Sequence, residues 1–182
     1  MVAGKLAWGG GFPDSVYFCR WKKYVDFWLW VFAHNATNRR RHVEKSAAVI
    51  EEIEAFIDGW QEGNAWAKEG FLALYRHVAA MAGVELHFVG RPGVSFSLRP
   101  RGVEQNAGGF FAIIDVIDDD PAERWLSVCF YGEMITDPDG RGEVIPGGLA
   151  GADGYCFDVS FDEPGMIDYL KERCREAWTA VS

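Results

Sequence analysis

Long hydrophobic runs are missing from this chain. The longest, FWLWVFA at residues 27–33, has seven apolar residues, far short of the about eighteen that a membrane-spanning helix needs. No membrane partner is therefore expected. The first fifteen residues, MVAGKLAWGGGFPDS, hold one lysine and no apolar core. No secretory leader is read there, and a cytoplasmic location follows by default. Cysteine is scarce and carries no metal-binding spacing: Cys19, Cys129, Cys156 and Cys174 form no C-x-x-C pair. The patterns G-x-S-x-G, G-K-[ST], G-x-G-x-x-G and H-E-x-x-H are all absent. Their absence removes the motif-level case for a nucleophile elbow, a P-loop, a dinucleotide fingerprint and a zincin helix. No internal repeat or low-complexity tract occurs, and no cofactor is expected.

Aromatic and apolar residues are plentiful. Hydrophobic residues make up 49% of the 182 and aromatics 15%, with eight Trp and thirteen Phe. That composition excludes disorder, and a domain of this size can bury a core without staples. The net charge is −9, but it is unevenly spread. Residues 1–45 hold eight Lys/Arg and three Asp/Glu, a balance of +5, while the remainder holds ten and twenty-four, a balance of −14. Residues 1–44 therefore read as a basic, aromatic-rich extension, and 45–182 as the globular domain. An acidic body repels the phosphate backbone, so nucleic acid is not the expected partner. The extension is expected to dock on its own body or on a neighbour's in a homo-oligomer.

Periodicity supplies the elements. Residues 24–33 are aromatic and β-branched and read as a strand. From Lys45 to Trp60 the residues Val49, Ile50, Ile53, Phe56, Ile57 and Trp60 make a helical stripe. Asn64 is placed to cap a second helix with Phe71, Leu74, Tyr75 and Val78 on its apolar face, closed by Gly83. The period then falls to two. Val84, Leu86 and Phe88 alternate with Glu85, His87 and Val89, and Val94, Phe96 and Leu98 alternate with Ser95, Ser97 and Arg99. The apolar sets share a face only if the hairpin loop has an odd number of residues. A loop of Arg91-Pro92-Gly93 pairs Glu85 with Arg99 and His87 with Ser97. Further strands are expected near 109–117, 124–136 and 154–161, and a last helix from near Asp162 with Pro164 in its first turn. The fold class expected is α+β: two layers, a mostly antiparallel sheet of about five strands, with an N-terminal helical hairpin and a C-terminal helix packed on one face.

Four groups of residues invite chemistry. Asp118, Asp119 and Asp120 sit between two apolar runs, and Asp115, Asp118 and Asp120 are the candidate ligands of a hard cation. The stretch lacks the spacing and the glycine of an EF-hand loop, and aspartate favours turns by bonding its own backbone, so no metal is expected and a turn is the reading adopted. Glu85, His87, Ser97 and Arg99 place an acid, an imidazole, a hydroxyl and a guanidinium in one cross-strand neighbourhood, suited to proton transfer or to holding a small anionic ligand. Residues 140–155 hold six glycines in sixteen and read as a long loop, suited to a lid or a partner contact. Cys129, Cys156 and Cys174 lie in apolar runs and read as buried free thiols. The function expected is a binding or protein-interaction module that self-associates; the alternative is a small enzyme or anion binder using Glu85, His87 and Arg99.

Overall fold

The computed structural model describes residues 46–61, 63–102 and 109–182. The chain divides after Lys45, and every described residue belongs to the second unit, Ser46–Ser182. The basic extension over 1–44, its expected strand at 24–33, and Cys19 lie outside the described residues.

Helix α1 covers residues 46–59. Its stripe works as the spacing requires. Ile53 is fully buried and Trp60, just past the end, nearly so, with Val49, Phe56 and Ile57 packed alongside. Helix α2, Ala65–Ala79, buries Phe71, Leu74 and Val78. Asn64 stands at its N-cap but makes no capping bond; its amide donates instead to the Arg124 carbonyl at 3.2 Å, tying the helix start to the sheet. Gly70 lets α2 come close. A Cβ there would lie 2.9 Å from Ile167 Cδ1 and 3.0 Å from Leu126 Cδ1.

Six strands follow: β1 (Val84–Arg91), β2 (Ser95–Gly102), β3 (Ile113–Ile117), β4 (Trp125–Tyr131), β5 (Glu143–Leu149) and β6 (Ala152–Val159), then helix α3 (Met166–Val181). All pairings are antiparallel, in the order β1-β2-β3-β4-β6-β5. Leu98, Ile114, Val116, Leu126, Val128, Phe130 and Phe157 project from one face of the sheet. There they meet Phe71 and Leu74 of α2 and Leu170, Cys174 and Ala177 of α3. The fold is the expected α+β arrangement of one antiparallel sheet and three helices, with one strand more than expected.

That strand is the main correction. Residues 140–155 are not a loop. Glu143–Leu149 form β5, an edge strand paired with β6. Pro146, Gly147 and Gly148 erase its alternation, and the ladder is irregular between Ile145 and Leu149. Proline and bulges belong on edge strands, where they discourage pairing with another chain. The lid role fails on distance too: β5 and β1 are opposite edges of six strands, about 24 Å apart at ~4.8 Å per strand.

The first hairpin has the expected parity but a register two residues longer. Its loop is Pro92-Gly93-Val94, with Gly93 at φ 76°. Glu85 therefore faces Arg101, and His87 faces Arg99 rather than Ser97. Pattern fixes which face a residue takes; it leaves shifts of two undetermined. Strand β3 starts at Ile113 rather than 109, and β4 stops at Tyr131 rather than 136. Helix α3 begins at Met166, after Gly165 at φ 81°, so Pro164 precedes the helix instead of opening it.

Candidate functional site

The sheet face opposite the helices gathers the polar side chains. Alternation puts Glu85, His87, Val89 and Arg91 of β1 there, beside Ser95, Ser97, Arg99 and Arg101 of β2. Register then carries rows across the sheet. Ser97 faces Asp115, Asp115 faces Ser127, and Ser127 faces Asp158. A second row runs from His87 and Arg99 on β1 and β2 to Ile113, Cys129, Cys156 and Glu143. Ile117 and Trp125 face each other in a third.

The four residues expected to cooperate do share this face, but they work in pairs. Arg101 Nη2 lies 2.6 Å from Glu85 Oε2 and its Nε 2.9 Å away, a fork on one carboxylate oxygen. His87 Nε2 stands 3.9 Å from the same oxygen. Arg99 donates from Nε to Ser97 Oγ at 2.9 Å, and its guanidinium lies 5.8 Å from the Phe110 ring centre. The His87 ring meets Phe110 edge-on at 5.4 Å. Ser97 is committed to Arg99, and register places it opposite Val89 rather than His87. Among the described residues Arg99 makes no ion pair. Arg101 is the partner of Glu85, set opposite it by the register two residues longer than expected.

The aspartates separate. Asp118 lies one position beyond the Ile117–Trp125 pair, on the helix-covered face, and is 3% exposed. Its Oδ1 accepts from Arg124 Nε at 2.6 Å and its Oδ2 from the Gly93 backbone N–H at 2.9 Å. The Arg124 guanidinium in turn sits over Trp60 at 5.2 Å, Phe56 at 5.7 Å and Phe96 at 5.9 Å. Asp118 thus locks two hairpins and α1 together. Asp119 Oδ1 accepts from the Asp120 N–H, and Asp120 Oδ1 from the Ala122 N–H at 2.9 Å, the self-bonding that makes aspartate a turn residue. Asp115 is on the other face, with Oδ1 buried and unpartnered. The three candidate ligands do not converge, and among the described residues no group of three His, Cys, Asp or Glu does.

The cysteines need a second correction. Cys129 and Cys156 are directly opposite on β4 and β6, with Cα atoms 4.1 Å apart, and they form a disulfide. Sequence alone placed them twenty-seven residues apart; only the insertion of β6 beside β4 brings them together. Cys174 is the buried free thiol expected, its pKa pushed up to about 12 by burial.

One polar cluster went unforeseen. Asp137, in the turn after β4, accepts from the Tyr169 hydroxyl, from the Gly142 N–H at 2.9 Å and from the Arg141 N–H at 3.1 Å. Arg141 and Arg173 flank the Tyr169 ring at 5.1 and 4.7 Å. Burial pushes the Asp137 carboxyl up, but the Tyr169, Gly142 and Arg141 donors and the Arg173 charge outweigh it and hold the pKa below the usual value. Burial and the Asp137 carboxylate raise the Tyr169 phenol. The Asp137 carboxylate is matched by these three donors, so the cluster reads as a tie between the β4–β5 connection and α3. The string TDPDG at 136–140 carried the only sequence signal, that of an Asx turn.

No family model, curated protein or solved structure matches the chain.

Proposed function

We propose that the protein is a non-catalytic binding module that pairs with a second copy of itself through the sheet face opposite the helices. The charge layout of that face supports this reading. One end, on β1 and β2, carries Arg91, Arg99 and Arg101 against Glu85. The other end, on β4, β5 and β6, carries Asp158 and Glu143, with Asp115 nearer the middle. Between the ends lie Ile113, Ile117 and Trp125. A two-fold axis through the middle of such a face sets each basic end against the partner's acidic end and the apolar centre against itself, as an isologous interface requires. Trp is among the residues that anchor interfaces. Six strands at ~4.8 Å and about 20 Å of strand length give roughly 500 Å² per copy. Two such faces bury about 1,000 Å², the threshold for a specific pairing.

Charge reversal tests the reading. Arg99→Asp alone and Asp158→Arg alone each set like charges together and weaken the dimer, measured by light scattering after size exclusion; the double variant restores it. If both single variants keep the wild-type mass, the face is not the interface.

The second reading, a small anionic ligand held by Arg99 beside Glu85 and His87, is favoured by one observation: the Arg99 guanidinium gives one hydrogen bond to a hydroxyl and makes no ion pair among the described residues. Titration with inorganic phosphate, followed by His87 ring shifts, discriminates: saturable shifts that Arg99→Gln abolishes support an anion site. Among the described residues no helix is long and apolar enough to cross a membrane. A cytoplasmic location would keep thiols reduced, so the state of Cys129 and Cys156 in protein isolated under thiol-blocking conditions reports the compartment.

A further inference from the structure

We propose that the outer edge of β1 takes an extended peptide of another protein as an added strand, one whose side chains alternate between apolar and acidic. The sheet has two edges, β1 and β5, and they are built differently. β5 is guarded. Pro146 lacks an N–H, Gly147 has φ 66°, and the ladder is irregular between Ile145 and Leu149. β1 has no such device. Its eight residues pair without a bulge, from Val84 with Gly102 to Arg91 with Ser95, and include no proline or lysine. An unguarded edge is a template for strand addition.

Register determines which groups that edge offers. The Phe111 N–H donates to the Pro100 carbonyl at 3.1 Å, and the Asp118 N–H to the Val94 carbonyl at 3.0 Å. Pro100, Leu98 and Phe96 therefore turn their backbone groups toward the β3 side. Leu86 stands opposite Pro100, Phe88 opposite Leu98 and Gly90 opposite Phe96. Opposed residues in an antiparallel ladder alternate between bonded and unbonded pairs. The N–H and C=O groups of Leu86, Phe88 and Gly90 thus point away from β2, and among the described residues no other strand pairs with β1.

Side chains select the peptide. On the helix side Leu86 and Phe88 are half-buried, with the Phe88 ring 5.7 Å from Phe56 and 6.3 Å from Phe96. The Phe96 ring fills the side-chain space of Gly90, where a Cβ would lie 3.1 Å away. This margin suits apolar side chains on an added strand. On the other side Arg91 is exposed, bonds only the Ser95 hydroxyl at 2.8 Å, and makes no ion pair among the described residues. With Arg99 and Arg101 set against Glu85, this margin is basic on a chain of net charge −9. A carboxylate beside Arg91 is matched and a lysine repelled. Because successive side chains of a strand take opposite faces, the two demands read as one alternating pattern.

The probe is a capped peptide of alternating valine and glutamate, added to the full chain and followed by amide NMR. Saturable shifts and slowed hydrogen exchange at Leu86, Phe88 and Gly90 are expected, with β5 unaffected. Methylating the peptide nitrogens that face β1 removes the new ladder's donors and weakens binding about tenfold. A valine–lysine peptide binds more weakly than the glutamate one, and Arg91→Glu, an exposed change, reverses that order. Subunit mass is read separately, so failure of peptide binding and failure of self-pairing are told apart. Slow exchange at these three amides in the free protein would mean that the edge is already closed, by a second copy where protection rises with protein concentration, and would overturn the proposal. Equal binding of the methylated peptide, or an order that Arg91→Glu leaves unchanged, overturns it as well.

Discussion

Replacing Asp118 by Ala removes the acceptor on which two hairpins and α1 converge. The magnitude can be worked from the contacts. Asp118 accepts a bond of 2.6 Å from Arg124 and one of 2.9 Å from Gly93. Hydrogen bonds to a charged group contribute about 1.5–3 kcal/mol each. The change also strands Arg124, whose side chain is 13% exposed, over three aromatic rings without a counter-ion. Breaking one side of a buried pair costs about 3–5 kcal/mol, and the two routes agree near 4 kcal/mol. That is a large part of the about 5–15 kcal/mol by which domains are stable, and at ~2–4 °C per kcal/mol it lowers the midpoint by about 8–16 °C. Urea unfolding followed by tryptophan fluorescence measures it. Asp118→Ala/Arg124→Met leaves no stranded charge and should cost less than Asp118→Ala alone, even after losing cation–π contacts of about 0.5–1 kcal/mol each. A single-variant cost below about 1 kcal/mol, or strict additivity in the double variant, would refute the lock.

Three further outcomes are expected. Reducing Cys129–Cys156 opens a link spanning twenty-seven residues and should lower stability by about 3–4 kcal/mol on loop-closure grounds; urea curves with and without reductant measure it. Asp137, whose folded pKa lies below its unfolded value, contributes stability that is fully present above about pH 4 and is lost as pH falls through the folded pKa. Tyr169→Phe removes a donor to that carboxylate and should move the acid limb of a stability–pH curve to higher pH, while an unchanged limb would refute the tie. Cys174, buried with a pKa of about 12, should resist iodoacetamide at pH 8 in the native protein and react in urea, as peptide mapping would show.

Much of this fold could be read from periodicity because one face of each element is committed to the core. Ile53, Phe71, Leu74 and Leu170 recur at helical spacing and are buried where that spacing puts them. The strict alternation of β1 and β2 points to the right faces, and Glu85, His87, Ser97 and Arg99 do share the one opposite the helices. Alternation is blind to a shift of two, so the partner of Glu85 was misread as Arg99. Strand β5 escaped because an exposed edge strand has no apolar face to display, and Pro146-Gly147-Gly148 spells a loop by composition. With β5 unseen, the crossing that sets β6 beside β4 was invisible, and with it the Cys129–Cys156 pair. The three aspartates carried a correct turn signal, but the role of Asp118 depends on Arg124 and Gly93, which a linear reading has no means to bring together.

Sedimentation equilibrium of the full chain over a concentration series tests the central claim most directly. The account predicts a mass approaching twice the 20.4 kDa of one chain, with Arg99→Asp falling back toward a single chain and Arg99→Asp/Asp158→Arg recovering the pair. A constant 20.4 kDa at every concentration would contradict it.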